Sequence, residues 1–365
     1  MLNDQNQEKT IQGLLAVINK LILMIIVLVA GIIVMPFVLQ FVQHKEKVKT
    51  EKTADIPKDT VTYWVAADIN AISDSTQKLQ VEYGRELIAH TSKYLGPLGS
   101  VSKISNGMNC QNCHLQAGTV TWGNNYGSVA SLYPKFRARS GSVENIYKRV
   151  NDCLERSLNG KSIDTSGKEM QAIVAYIKFI GSNVEKGKKA AGSGFKDLAW
   201  LDRAADSGKG QIVYTTKCQS CHQVNGEGVF AAGNTEYTYP ALWGNNSFND
   251  GAGLYRISNF AKYVKYNMPQ GTNFHSPQLT DEEAWDVAAF VISQKRPHII
   301  VPKDWPDISK KPVDHPFGPY ADAFTEEQHK YGPFKPIVEA QKRKEEAAPQ
   351  GPSGKQQTSA VIKKL

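Results

Sequence analysis

The feature that most constrains this chain is a pair of short motifs, each with two cysteines and a histidine. They read Cys110-Gln-Asn-Cys113-His114 and Cys218-Gln-Ser-Cys221-His222. In such a C-x-x-C-H motif, two thiols can reach two vinyl groups on one porphyrin edge, while the histidine places its imidazole over the iron. A thioredoxin-like redox pair or half of a zinc site would not need a histidine directly after the second cysteine. We therefore predict two covalently attached c-type haems (iron), with His114 and His222 as proximal ligands.

The length of the chain, 365 residues, leaves room for about two ordinary domains. Each motif follows a predicted helix and precedes a loop-rich stretch and a closing amphipathic helix. We expect an all-α fold, with an N-terminal transmembrane helix followed by two cytochrome c-type domains. The expected segments are a membrane anchor (1–42), a charged stalk (43–60), a first cytochrome c domain with the catalytic haem (61–181), a linker (182–197), a second cytochrome c domain with the electron-transfer haem (198–297), a C-terminal wrapping segment (298–337) and a disordered tail (338–365).

Local signals predict where the helices of the two domains begin. Val81–Leu95 is the expected helix before the first motif. Ser166-x-x-Glu169 and Thr280-x-x-Glu283 match the capping box, in which two side chains satisfy free N–H groups at a helix start. We expect these boxes to open the two closing helices.

The N-terminal segment predicts the compartment. Leu21–Leu39 is an uncharged apolar run of about 19 residues, roughly 28 Å as a helix, and no small-residue cleavage site follows it. Lysines after the run outnumber those before it, against the positive-inside tendency. Covalent haem attachment nevertheless favours the outer side. We expect a single-pass protein of the inner (cytoplasmic) membrane, with its haem domains on the periplasmic side.

The net charge of +8 is weak evidence about partners. A basic chain can bind nucleic acid, an anionic membrane surface or small anions. No nucleic-acid motif is present, so nucleic acid is not an expected partner.

The sixth iron position needs a second ligand in each domain. Met268, in Asn267-Met268-Pro269, lies between the second motif and its closing helix and can present its sulfur there. A methionine–histidine pair raises the reduction potential of a haem. Met170 lies inside a closing helix, where a core position explains it better. The first domain has no comparable Met-Pro loop.

The fifth cysteine, Cys153, lies within a predicted helix over residues 142–159. At helical spacing Arg149 and Ser157 share its face, with Arg156 nearby. Arginine and hydroxyl neighbours favour a thiolate and attract anions. A purely structural cysteine stays open on these grounds.

From about Tyr83 to Phe334 the chain resembles the thiosulfate dehydrogenases, the tetrathionate-forming two-haem cytochromes of the TsdA type. The segments that carry the resemblance are YGRELIAHT, NCQNCHLQAGT, YPKFRARSGSVENIYKRVNDCLERSLNG, EMQAIVAYIKFIG, NMPQGT, LTDEEAWDVAAFV and GPYADAFTEEQHKYGPF. The run around Cys153 and the late YGPF segment are the most particular of these.

The resemblance implies an unusual axial pair at the first haem, His114 and Cys153, with catalytic roles for Cys153, Arg139, Arg149 and Ser157 around a bound anion. It implies His222 and Met268 at the second haem. It also implies the oxidation of two thiosulfates to tetrathionate, or the reverse, with electrons passing from the first haem to the second and on to a redox partner such as a cytochrome c or a membrane oxidase. Some members carry a competing lysine beside the methionine. Here Asn267 precedes Met268 and Lys265 stands three positions back, so we expect no such exchange.

Two other functions compete with this interpretation. A membrane-tethered electron-transfer cytochrome without its own substrate would explain both motifs and Met268, but not the arginines around Cys153. A relative of the SoxA-type cytochromes would explain a cysteine ligand, but not the match across both domains.

Overall fold

The computed structural model describes residues 61–347 except residue 234, together with a few isolated residues between 15 and 35. Residues from Tyr63 onward form one compact unit, separate from Met1–Thr62. We describe the unit from Tyr63 by its helices, its sheets and the segments that join its two haem motifs.

Helices supply most of this unit. The first half holds α1 (Ser75–Ala89), α2 (Thr91–Leu95), α3 (Leu115–Gly118), α4 (Val129–Leu132), α5 (Ile146–Arg156) and α6 (Lys168–Ile180). The second half holds α7 (Ser207–Lys217), α8 (Gln219–His222), α9 (Ile257–Asn267), α10 (Asp281–Ser293), α11 (Glu326–Tyr331) and α12 (Lys335–Ala347). Short 3-10 helices cover Ile69–Ala71, Cys110–Asn112, Gly253–Tyr255 and Ile308–Lys310.

The same helix crossing occurs in both halves. Helix α1 packs against the closing helix α6, and α7 packs against the closing helix α10. Each crossing depends on a glycine. A Cβ atom on Gly84 would lie 2.0 Å from the carbonyl oxygen of Ala172, and one on Gly210 would lie 1.9 Å from that of Asp286. Any larger residue would push the helices apart. Each crossing holds in place the helix that precedes a haem motif.

The all-α expectation was wrong, because the described residues include two antiparallel sheets. Strands β1 (Lys135–Arg137) and β2 (Ser142–Glu144) form one hairpin, and β3 (Val229–Phe230) and β4 (Tyr237–Tyr239) form the other. Gly141, at φ +63°, permits the tight turn of the first hairpin. Because β2 takes residues 142–144, the helix expected over 142–159 begins only at Ile146, where the Asn145 side chain accepts from the backbone N–H of Lys148 at 2.9 Å.

The expected transmembrane helix is also corrected. Among the described residues, no helix is long and apolar enough to cross a membrane. Between residues 61 and 347 the longest helix, α1, has 15 residues, about 22 Å, short of the roughly 30 Å hydrocarbon core. Most of the run 21–39 and all of the stalk 43–60 lie outside the described residues.

The two capping boxes had opposite outcomes. The Thr280–Glu283 box is confirmed, with Thr280 Oγ1 accepting from the N–H of Glu283 and the carboxylate of Glu283 accepting from the N–H of Thr280. The Ser166 box is wrong. The hydroxyl of Ser166 donates to Asp164 instead, and Gly167 caps α6 without a side-chain bond.

The outer segments pack closely on the two domains. Within 182–197, Ala191 accepts a backbone bond from Trp64 at 3.1 Å, and Gly192 accepts one from Trp122 at 2.7 Å. At the other end, Phe334 and Ile337 enter the core of the second domain. Helix α12 runs into the segment 338–365 expected to be a disordered tail, whose remainder lies outside the described residues.

Candidate functional site

A cavity of about 780 Å³ lies beside the second motif. Its wall includes Cys218, Cys221 and His222, and it also includes Met268, the residue that caps the end of α9. The rest of the wall is mostly apolar, with Leu242, Phe248, Leu254, Phe260, Val264 and Val287 among its members. The fold therefore brings the second motif and the candidate methionine ligand to one apolar space.

Both motif histidines are oriented in the way that iron requires. The Nδ1 atom of His222 lies 2.8 Å from the carbonyl oxygen of Pro240, and that of His114 lies 2.5 Å from the carbonyl oxygen of Asn124. A carbonyl only accepts, so Nδ1 carries the proton and Nε2 keeps a free lone pair. Burial lowers the pKa of His114 to about 4, which keeps the imidazole neutral. Neutral imidazole is the form that binds a metal.

The cavity beside the second motif also contains one polar group that has no hydrogen-bond partner among the described residues. The hydroxyl of Thr272 lines it and is buried. A buried polar atom costs free energy unless a ligand or water satisfies it. Burial raises the pKa of the Cys218 thiol to about 11, so it remains a thiol able to add to a vinyl group. An apolar space with these groups fits a covalently attached haem.

The first motif is held by side chains from before it, within it and after it in the chain. The Cys110–Asn112 turn carries a capping box between Asn109 and Asn112, and the backbone N–H of Cys110 donates to Thr91 Oγ1 at 3.0 Å. The ring of Tyr126 stacks on His114 with centroids 4.5 Å apart. The motif is therefore set in place by the first domain before any ligand is considered.

Cys153 lies beside this first motif, half-buried on α5. Burial raises the pKa of Cys110 to about 11 and that of Cys113 to about 12, and the charge of Cys153 acts on both in the same direction. Such an effect between buried groups needs a short distance. The fold therefore brings together His114, the two cysteines and Cys153, as the sequence predicted, while the ligand role of Cys153 stays a prediction.

The predicted arginines lie in the same place. Arg149, one turn before Cys153, has a pKa raised above its ordinary value, first by the Cys153 thiolate. Burial, and after it the positive charges of Arg149 and Arg156, lowers the pKa of Arg139 to about 10. Three guanidinium groups thus share one region, an arrangement that favours a bound anion. Ser157, half-buried, closes α5, and its N–H donates to the Cys153 carbonyl at 2.9 Å.

Sequence reasoning missed the residues that hold these arginines. Arg156 binds Asp304 through two hydrogen bonds of 2.8 Å, and the N–H of Trp305 donates to the carbonyl of Arg139 at 2.6 Å. Asp304 and Trp305 come from the C-terminal wrapping segment. The signal that the sequence of this segment carried was its Pro-rich composition. That composition predicted a segment wrapping the protein surface but indicated no residue that it contacts.

Near Met268 the two polar neighbours that the sequence raised are both engaged elsewhere. The Nζ of Lys265 donates to the carbonyl of Leu279 at 2.6 Å and pairs with Asp281 at 2.7 Å. The side-chain amide of Asn267 donates to the carbonyl of Tyr263 at 3.0 Å. Both side chains therefore have partners other than Met268.

Comparison with known proteins places both halves in cytochrome families. Residues 100–185 match the family described as SoxA/TsdA, cytochrome c domain, and residues 207–295 match the family described as cytochrome c. Two c-type haems are thereby supported.

Similar proteins share most of this span. A thiosulfate dehydrogenase of Psychrobacter arcticus is 35% identical over 242 residues, which is 66% of this chain and 71% of that protein. Thiosulfate dehydrogenases of Thiomonas intermedia and Allochromatium vinosum are each 34% identical, covering 62% and 58% of this chain and 69% and 79% of those proteins. A solved thiosulfate dehydrogenase (TsdBA) from Marichromatium purpuratum superposes with a TM-score of 0.59 at 27% identity over 64% of this chain. This chain spans 50% of the length of that solved chain.

Proposed function

This chain belongs to the thiosulfate dehydrogenase family, and we propose that it oxidises two thiosulfates to tetrathionate. A sulfur–sulfur bond forms between the two thiosulfates, two electrons are released, and no proton is needed. The observation that carries the proposal is the position of Cys153 beside the first haem motif, with Arg149 and Arg139 around it. An electron-transfer protein without a substrate would have no use for a thiol among three guanidinium groups.

Cys153 acts as the covalent nucleophile of the reaction. Its thiolate sulfur forms a bond with the terminal sulfur of one thiosulfate, and two electrons leave. The second thiosulfate then attacks that sulfur, which releases tetrathionate and restores the thiolate. Arg149 lies one turn before Cys153 on α5, where its positive charge attracts the thiosulfate anions.

The arginines overcome the repulsion between two dianions. At about 4 Å, each pair of like charges costs roughly 4 kcal/mol at the effective dielectric constant of a protein surface. Arg139 and Arg149 offset that cost where the sulfur–sulfur bond forms. Arg156 cannot contribute as strongly, because Asp304 already neutralises it.

Two one-electron centres match the two electrons released. When bound, the haems would supply two irons. His114 and Cys153 would hold the first between turnovers, with the Cys153 sulfur released from it to act as nucleophile, and His222 and Met268 would hold the second. A thiolate ligand lowers a haem potential and a methionine raises it, which favours transfer from the first to the second. A redox partner such as a cytochrome c or a membrane oxidase receives the electrons. We place the haem domains on the periplasmic side, where this type of haem is attached.

The test is a turnover assay on the full chain, with both haems confirmed by mass. Thiosulfate is supplied with ferricyanide as acceptor, and tetrathionate is quantified. The reverse reaction is followed with a reduced viologen dye. Turnover in either direction supports the proposal. No turnover in both directions by a fully haem-loaded protein would contradict it and favour the electron-transfer alternative.

A further inference from the structure

The wall of the second haem cavity belongs in part to the first domain. Asn112 and Cys113, from within the first motif, line the same space as Cys221 and Met268. Leu115, directly after His114, packs against the hydrophobic core of the second domain. A haem attached to Cys113 therefore has that edge at the boundary of the second cavity.

One residue of the second domain contacts this boundary directly. Tyr263, on α9, also lines the cavity and is 6% exposed. Its hydroxyl donates to the carbonyl oxygen of Asn112 at 2.8 Å, between the two cysteines of the first motif. Its own carbonyl accepts from the side-chain amide of Asn267, the residue before Met268. Tyr263 thus connects the first attachment loop to the helix that carries the candidate ligand of the second haem.

The chemistry of this contact makes it dependable. Burial raises the pKa of Tyr263 well above its ordinary value, so the hydroxyl stays protonated and remains a donor. Removing the hydroxyl would leave the carbonyl of Asn112, a half-buried residue, without this partner. The loop would then shift or take up water to satisfy that carbonyl.

We propose that Tyr263 is a positioning residue for electron transfer between the two haems, holding the Cys110–Cys113 loop against the second cavity so that the electron crosses at the Cys113 edge. In each crossing, one ferrous iron at the first site becomes ferric, one ferric iron at the second site becomes ferrous, and no proton moves. This inference goes beyond the proposed function, since it needs two haems and no particular substrate.

The test compares Tyr263→Phe with Tyr266→Phe in the full haem-loaded chain, without thiosulfate. Both tyrosines lie on α9, both line the cavity and both hydroxyls donate to a backbone carbonyl. The Tyr266 hydroxyl, however, bonds to Asp197 at 3.0 Å and not to a residue of either motif. One electron is injected by photoreduction with a deazaflavin radical, and its redistribution between the haems is followed by absorbance. Midpoint potentials of both haems are measured by spectroelectrochemistry.

We expect Tyr263→Phe to slow the redistribution roughly tenfold, because displacing a positioned group by about 1 Å can cost up to two orders of magnitude in rate. Tyr266→Phe should stay within about twofold of the parent. A parent-like rate in Tyr263→Phe overturns the proposal. Loss of the haem on Cys110 and Cys113, detected by mass, would also overturn it, since Tyr263 would then act in attachment. Because no thiosulfate is used, either result is independent of the proposed activity.

Discussion

The two haem domains share a frame and differ in what surrounds the motif. In both, a glycine lets a helix cross the closing helix in close contact, and in both a backbone carbonyl orients the motif histidine. The first motif then meets a thiol, stacked tyrosine and buried guanidinium groups, whereas the second meets a mostly apolar cavity and a methionine. We infer that the helix crossing shared by both domains serves haem attachment. Helix α5 and the β1–β2 hairpin before it supply the groups that are particular to the first site.

The largest effect should come from removing the thiol that only the first site has. In Cys153→Ala we expect turnover with thiosulfate to fall by about 10³-fold or more, because the covalent nucleophile is lost. Both haems should remain attached, since Cys153 is not part of either motif. Steady-state kinetics and mass spectrometry check the two statements. If Cys153→Ala kept most of its activity with thiosulfate, Cys153 would not be the covalent nucleophile. The thiol would then not distinguish the function of the two sites.

Removing a positive charge at the same site should reduce activity less than removing the thiol. Arg149→Gln is expected to lower kcat/KM by about 10²-fold, the usual loss when one charged stabiliser of a developing bond is removed. Lys135→Gln is the matched control, because Lys135 carries the same charge on β1 and is exposed. Equal losses in both variants would mean that only general attraction of anions matters.

The second site is tested through its potential. Met268→Leu keeps the volume but removes the sulfur, and we expect the second haem potential to fall by roughly 100 mV within the ~0.8 V range that axial ligands set. Met170→Leu is the control, because Met170 is a fully buried core residue of the first domain. Redox titration of both variants decides the matter. An unchanged potential in Met268→Leu would contradict the assignment of Met268 as a ligand of the second haem.

The smallest effect concerns pH and the segment that holds the first site. Trp305 Nε1 donates to Nε2 of His315 at 2.9 Å, and His315 Nδ1 lies 3.0 Å from the Phe317 carbonyl, so the ring is neutral. Burial lowers the His315 pKa from 6.5 to about 4. Protonation therefore favours the unfolded state. The stability is fully present above pH 6.5 and falls by at most about 3 kcal/mol as the pH drops towards 4.

Thermal unfolding between pH 7 and pH 4.5 measures this slope, which should flatten in His315→Gln. His298→Gln is the control, because the side chain of His298 is 70% exposed. The spectrum of the first haem should respond before that of the second, because Trp305 also bonds Arg139. Identical slopes in all three proteins would exclude His315 as the cause.

Sequence reasoning succeeded where chemistry is local. The spacing of a haem motif and the Thr280–Glu283 box each lie within five residues, and the pattern alone fixed them. The Ser166 box failed because Asp164 accepts from the backbone N–H of Ser166, which Glu169 would otherwise have bound, and Glu169 accepts from the Tyr83 hydroxyl instead. Met268 was placed at the second motif from its loop position, and the two do line one cavity.

Long-range contacts could not be predicted in the same way. Arg156 and Asp304 lie 148 positions apart, and no periodicity or composition connects them. The β1–β2 hairpin escaped detection because its strands are three residues each, too short for an alternating pattern to be recognised. Helical spacing around Cys153 indicated Arg149 and Arg156, and the family resemblance indicated Arg139. The residues that hold them were found only through the fold.

The bond from Trp305 to Arg139 has a consequence for biosynthesis. A ribosome delivers the first domain early, yet the Arg139 carbonyl meets its partner only after the second domain and residues 304–305 have emerged. The arginine cluster is therefore completed last, although its residues are made first. A chain that ended before residue 304 would lack the contacts that hold Arg139 and Arg156, so we expect it to bind anions at this cluster more weakly than the full chain.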